Sequence, residues 1–410
     1  MFYGWIIVAC TFILLFLAFG SAYSFATFFE SLQVEFDASR SAISLVFSIA
    51  GFLYFALGAV SGRVSDRKGT RFAIIFGILV LGGGLLLASV SLSIWQIYIS
   101  YSVGVGFGVG FIYVPSVSMV QRWFIRKRGF ASGIALTGIG LGTMCTPPIT
   151  ALLIEITNWR VTYSVMGLIV VALGITVAFL IVDSPQRRGL VPDGNGEPVV
   201  NDNCINETRR EGLNQNLNMT VREAIGTRTF RLLYIGLFSI GLGLFIPFVH
   251  IVPFASDVGL SKSTGVLLFS LIGGGSTLGR FLLGGIADKL GRRVSLASMY
   301  AGMAAMFIWW LTATRAWELA VFAVVFGICY GGYVALTPAV VADYFHGRNL
   351  SGIIGALYTS SAVGALIGPT LAGFAFDLNQ SYTIPIIASA FAATIATIAT
   401  VLMKDPKRIG

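Results

Sequence analysis

Apolar residues in this chain come in unbroken runs of about 20, not at the spaced positions of an amphipathic helix, and charges fall almost wholly in the gaps. The runs occupy residues 5–29, 42–62, 72–91, 95–121, 131–155 and 160–182, then 229–254, 263–286, 294–313, 316–341, 349–375 and 381–403. A helix of ~20 residues crosses the ~30 Å hydrocarbon layer of a bilayer, and a signal-peptide core is shorter. The first run is therefore expected to stay as a first spanning helix. Within lipid, helices of this length pair all of their backbone groups internally. The pattern predicts an all-α integral membrane protein of twelve transmembrane helices in two sets of six. The expected division is an N-terminal six-helix bundle at 1–182, a linker at 183–228 and a C-terminal six-helix bundle at 229–410.

Composition sharpens this reading. Of 410 residues, 56% are apolar and 11% charged, against about 25% charged in soluble domains. Soluble enzymes and nucleic-acid binders are thereby excluded, despite a net charge of +9. The charge encodes direction instead. All but five of the 27 basic residues fall on the side of the N-terminus; Arg40, Arg160, Lys262 and Arg315 fall on the other, and Arg280 lies inside a span. The positive-inside rule places both termini and the linker in the cytoplasm, in a plasma membrane such as a bacterial inner membrane. Cys10, Cys145, Cys204 and Cys329 show no paired spacing, so neither a disulfide frame nor a metal site is expected. The linker, with Pro185, Pro192 and Pro198, reads as a flexible tether. Thr220 and Glu223 at its end have capping-box spacing, which predicts a short helix.

The two sets of runs are copies. Adding 222 to the residue number carries Ser39-Arg40-Ser41 onto Ser261-Lys262-Ser263, Gly51 onto Gly273, and Gly133, Gly142 and Pro147 onto Gly355, Gly364 and Pro369. The loop Gly-x-x-x-Asp-[Arg/Lys]-x-Gly-x-Arg occurs at Gly62–Arg71 and again at Gly284–Arg293. This repeated loop resembles the signature of the major facilitator superfamily. That resemblance implies two six-helix bundles related by an axis along the membrane normal, with a substrate between them near the midplane. Asp66, Arg67 and Arg71, with Asp288, Lys289 and Arg293, are expected to form a cytoplasmic gate by pairing or capping; the alternative is a solvated cluster that only sets topology.

Arg280 has no copy, because subtracting 222 lands on Gly58. A charge inside a span costs ~2.5–3.5 kcal/mol on insertion scales. Gly273, Ser276, Arg280 and Gly284 share one helical face of small residues, the mark of a packed or cavity-lining surface. No Asp or Glu lies at matching depth, so an exchangeable anion is the expected partner, and a planar guanidinium holds a carboxylate through two parallel hydrogen bonds. The alternative is an arginine that snorkels or bonds backbone carbonyls. Tyr23, Tyr113, Tyr330, Tyr333 and Tyr358 are the candidate lining with Ser276, although each tyrosine taken singly is as well explained by packing. Of two histidines, His346 falls in a loop, while His250 lies within span seven and is a candidate proton carrier or a hydrogen-bonded structural residue.

Tyr3-Gly4-Trp5 opening span one, and Trp123-Phe124-Ile125-Arg126-Lys127-Arg128-Gly129-Phe130-Ala131-Ser132-Gly133 leading into span five, resemble the monocarboxylate transporter family, whose span-eight arginine matches Arg280. The resemblance implies secondary-active transport of lactate- or pyruvate-like anions with a proton. Partners are then a small monocarboxylate, a proton and the lipid bilayer, with no cofactor. Two departures bear on coupling: the family's aspartate one turn before the arginine is Ser276 here, and its span-one lysine is Tyr23. The proton would travel on the substrate or through His250 beside Arg280. Span eleven adds no second basic residue, which fits a monoanion rather than a dianion. An oxalate/formate-type carboxylate exchanger without proton coupling is the alternative. No phosphate loop or metalloprotease helix appears, and no enzyme activity is expected.

Overall fold

A computed structural model describes residues 2–125, 127–194, 219–345 and 350–404 of the 410-residue chain. Each of the twelve predicted runs coincides with a helix. The first set is α1 (Gly4–Glu35), α2 (residues 40–68), α3 (Thr70–Ser89), α4 (Ile94–Trp123), α5 (Arg128–Ile156) and α6 (Trp159–Phe179). The second is α7 (Arg228–Asp257), α8 (Lys262–Leu290), α9 (Arg292–Thr312), α10 (Ala316–Tyr344), α11 (Leu350–Asn379) and α12 (Thr383–Val401). Among the described residues ten helices meet the length and hydropathy of a membrane span, and the bent α2 makes an eleventh. The protein is a multi-pass membrane protein. Several helices outrun their apolar stretch, as α1 does by continuing to Glu35, because a helix need not stop where the hydrocarbon does. The linker from 195 to 218, the loop with His346, Cys204 and the side chains of Asp288 and Lys289 lie outside the described residues.

Local chemistry sets the helix ends. Ser39 and Ser261, equivalent in the repeat, each accept a hydrogen bond at 3.2 Å from the backbone N–H three residues on. Thr220 and Glu223 form the expected reciprocal capping box before helix Val221–Gly226. α1 breaks at Ser24, and α7 breaks at Phe245, just ahead of Pro247, which has no N–H to continue the helical ladder. α2 bends by 50° around residues 57–59, whereas α8 runs unbroken through the equivalent place.

The repeated loops explain their glycines. Gly69 has φ 94° and Gly291 φ 92°, backbone open to glycine alone, and each turns the chain from an even helix into the next. Past the turn, the Arg71 guanidinium donates to the carbonyls of Ile181 (2.5 Å) and Phe179 (3.2 Å) at the end of α6. Arg293 donates to the carbonyls of Met403 and Val401 at the end of α12, each 222 residues on. Asp66 pairs with Arg122 at 3.3 Å, and Arg67 is exposed. These contacts stay within one set of six. Arg71 and Arg293 thus satisfy C-terminal carbonyls of their own half, where cations are favoured.

The two sets meet along α2 against α11 and α5 against α8. Gly273 marks the closeness of the second crossing, since a Cβ there would lie 2.6 Å from the Met144 backbone nitrogen. Both crossings open toward the face that carries the termini. Beyond its bend, α2 leaves α11, and at the corresponding end of α5 a Cβ on Gly129 or Gly133 would meet nothing within 4 Å. Replacing Gly69 by Ala should lower stability by ~1–3 kcal/mol, read as a fall in thermal unfolding temperature in detergent. Gly129→Ala, in a helix with open space around it, should leave that temperature unchanged or slightly raised.

Candidate functional site

A cavity, part of it open to solvent, lies between the two sets of helices. Arg280, Tyr23, Tyr113, Tyr330, Tyr333 and Tyr358 all line it. Two expected residues do not. Ser276 faces the α8–α10 crossing, where a Cβ on Gly331 would lie against the Ser276 carbonyl; its Oγ is buried without a partner. His250 sits farther from the terminal face, in the seam between the halves.

Phe19, Tyr54, Phe55 and Phe245 also line the cavity and escaped sequence reasoning, which cannot tell an apolar wall from an apolar core. The repeat did carry a signal for some of them. Phe245 is the copy of Tyr23, and Gly58, the copy of Arg280, faces the same space. One of two equivalent positions offers a guanidinium and the other leaves room.

Arg280 is 9% exposed. One Nη donates to the Leu136 carbonyl at 3.2 Å, while Nε and the other Nη are buried with no protein partner. Its Cζ lies 6.0 Å from the centroid of the Tyr330 ring, and among the described residues no carboxylate pairs with it. A guanidinium has five N–H donors in a planar fork. Burying them unpaired is unfavourable, and the group lines the cavity with hydrogen-bonding capacity left over. The side chain lines the cavity, and its bond to Leu136 is of the backbone-carbonyl kind that the alternative reading expects.

Away from the terminal face the cavity is closed by aromatics. The hydroxyls of Tyr23 on α1 and Tyr330 on α10 lie 3.0 Å apart, joining the halves. Phe248 stacks on Tyr23 at 4.8 Å and meets Tyr330 edge-on at 5.0 Å. Behind them His250 is fully buried: Nε2 lies 2.9 Å from the Pro369 carbonyl and 3.1 Å from Ser44 Oγ, and Nδ1 lies 3.0 Å from the Tyr382 hydroxyl. With the proton on Nε2 every one of these contacts is satisfied by a neutral ring.

Arg40 at the head of α2 completes the seal. It donates to both carboxylate oxygens of Asp257 (2.6 and 2.7 Å) and to the Tyr382 hydroxyl (2.8 Å), and it lies 3.8 Å over the Phe376 ring. Asp377 on α11 accepts from the backbone N–H groups of Arg40 and Ser41 at 2.9 and 3.0 Å, capping α2 from the other half. The equivalent Lys262 makes a single 3.1 Å contact with Glu30. Removing the Arg40 side chain should loosen this face by about 2 kcal/mol, or ~30-fold in the open-to-closed ratio. Hydrogen–deuterium exchange over residues 40–47 and 250–257 should accelerate accordingly in Arg40→Ala, and much less in Lys262→Ala.

Comparison with known proteins agrees with this architecture. The family model described as Major Facilitator Superfamily matches residues 11–317 and 233–409. Monocarboxylate transporter 12-B of Danio rerio is 27% identical over 411 residues, covering 95% of this chain and 84% of that one. Monocarboxylate transporter 12 of Xenopus laevis is 26% identical, with 99% and 90% covered. An MFS-type transporter of Aspergillus terreus is 31% identical over 295 residues, 71% of this chain and 91% of that one. In fold, the chain is similar to a bacterial homolog of the human lysosomal transporter Spinster in an inward-facing and unoccupied conformation, with a TM-score of 0.72 at 15% identity and 97% of both chains covered. A repeated loop, a central cavity between two sets of six helices and these matches lead to one statement: the chain belongs to the Major Facilitator Superfamily, as a transporter and not an enzyme, and within it resembles the monocarboxylate transporters.

Proposed function

We propose that the protein carries small monocarboxylate anions of the lactate and pyruvate kind across a plasma membrane by alternating access, with Arg280 binding the carboxylate. The observation that carries this reading is the buried guanidinium with Nε and one Nη unpaired at a cavity wall. A carboxylate accepts from two parallel N–H groups of the fork, and the relatives named as monocarboxylate transporters support the same class. When empty the site is cationic, since arginine keeps its proton at any ordinary pH; when loaded with a monoanion it is close to neutral. That difference favours rearrangement of the loaded site through an apolar interior.

Orientation follows from the basic bias of the loops. With the termini cytoplasmic, the open mouth faces the cytoplasm, and the Arg40 clasp with its Tyr23–Tyr330 floor closes the outside. Proton symport is the favoured coupling, the proton moving with the acid or through His250. Exchange of carboxylates without a proton is the second reading. Two observations favour it: Ser276 stands where the resemblance expects an acid, and the neutral His250 ring is satisfied within the seam.

Uptake of labelled lactate into proteoliposomes, with and without an imposed pH gradient, tests both. Gradient-driven uptake into empty vesicles supports symport, and uptake only against internal carboxylate supports exchange. Arg280→Ala and Arg280→Lys should reduce uptake on the order of 100-fold, as expected for loss of a desolvated charge pair. Their unfolding temperature should hold or rise, because a buried and poorly paired charge has been removed. Full uptake by both variants would remove Arg280 from the mechanism.

A further inference from the structure

The lining of the cavity is far more aromatic than binding of a two- or three-carbon acid requires. Of the seventeen described residues in the lining, nine are Phe or Tyr, five are Val, Leu or Ile, and among them Arg280 is the one cation, with no Asp or Glu. The rings form a connected belt. Phe19 meets Tyr54 edge-on at 6.1 Å and Tyr113 at 5.6 Å; Phe55 meets Tyr358 at 6.1 Å and Phe245 at 5.9 Å; Tyr54 and Phe55 lie 4.6 Å apart. Phe245 comes from α7 and Phe55 from α2, so the belt crosses from one half to the other.

A lactate anchored on Arg280 would leave ring faces of the lining to water. An aryl group in that space buries apolar area and joins the belt in the offset or edge-on geometry that rings prefer. Charge narrows the choice further. A zwitterion would bring an ammonium with no carboxylate in the lining to meet it, and a dianion would bring a second charge with no second cation.

We infer that the preferred cargo is an aryl or arylalkyl monocarboxylate without an ammonium group, its carboxylate on Arg280 and its ring within the belt of Phe19, Tyr54, Phe55 and Phe245. This rests on the carboxylate reading of Arg280 and specifies what hangs from the carboxylate. Phe55 and Phe245 then act as specificity-determining residues, touching the ring and not the charge.

The test is a transport panel in proteoliposomes of the full chain with phenylacetate, 3-phenylpropionate, L-lactate and L-phenylalanine. Phenylacetate and 3-phenylpropionate should half-saturate uptake at a concentration at least ten-fold lower than lactate, and phenylalanine should neither be taken up nor compete. Phe55→Leu should narrow the gap between phenylacetate and lactate at least three-fold while lactate uptake persists. Equal half-saturation by lactate and phenylacetate, or competition by phenylalanine on a par with phenylacetate, overturns the inference and leaves the carboxylate reading standing. No uptake of any of the three acids overturns both together.

Discussion

A guanidinium buried between two helical bundles with one backbone carbonyl for company is the constraint around which this molecule is organised. In hydrocarbon, a fixed charge is tolerated when its donors are met, and here Leu136 meets one of them. Nε and the other Nη are buried without a partner, and the side chain lines a space walled by rings that supply no counter-ion.

The internal repeat separates the parts that hold the fold from the parts that work. Where both copies agree, the residues serve architecture: Ser39 and Ser261 cap helices, Gly69 and Gly291 turn the chain, and Arg71 and Arg293 bind the last carbonyls of α6 and α12. Where the copies differ, the residues surround the cavity or its closure. Arg280 faces the cavity with Gly58, Tyr23 matches Phe245, and Arg40 holds a two-oxygen clasp where Lys262 has a single contact. Symmetric halves suffice to build two like bundles, but one guanidinium in the cavity between them makes them unequal.

Much of this was legible in the chain itself. Twelve apolar runs gave twelve helices because a bilayer leaves the backbone few other solutions, and the offset between copies exposed Arg280 as unmatched. Five tyrosines lay in the lining as expected. What the sequence hid was rotation about the helix axis. Ser276 is one turn from Arg280 yet faces α10, and Phe55 looks like any lipid-facing phenylalanine until α2 is seen to bend beside it. The role of the loop charges was hidden for a different reason: a motif gives residues but not partners, and those of Arg71 and Arg293 are carbonyls, which every residue has. The neighbours of His250, from Ser44, Pro369 and Tyr382, were likewise hidden, since each comes from a distant part of the chain.

The clasp at Arg40 has a consequence for how the molecule rests. Its parts, Arg40, Asp257 and Asp377, with Lys262 and Glu30 beside them, are all borne on one face and all become hydrated when the halves separate there. Dissolved electrolyte screens such pairs over distances of about 8–10 Å at ordinary ionic strength. Closure of this face is thus tied to the salinity of the compartment that it meets.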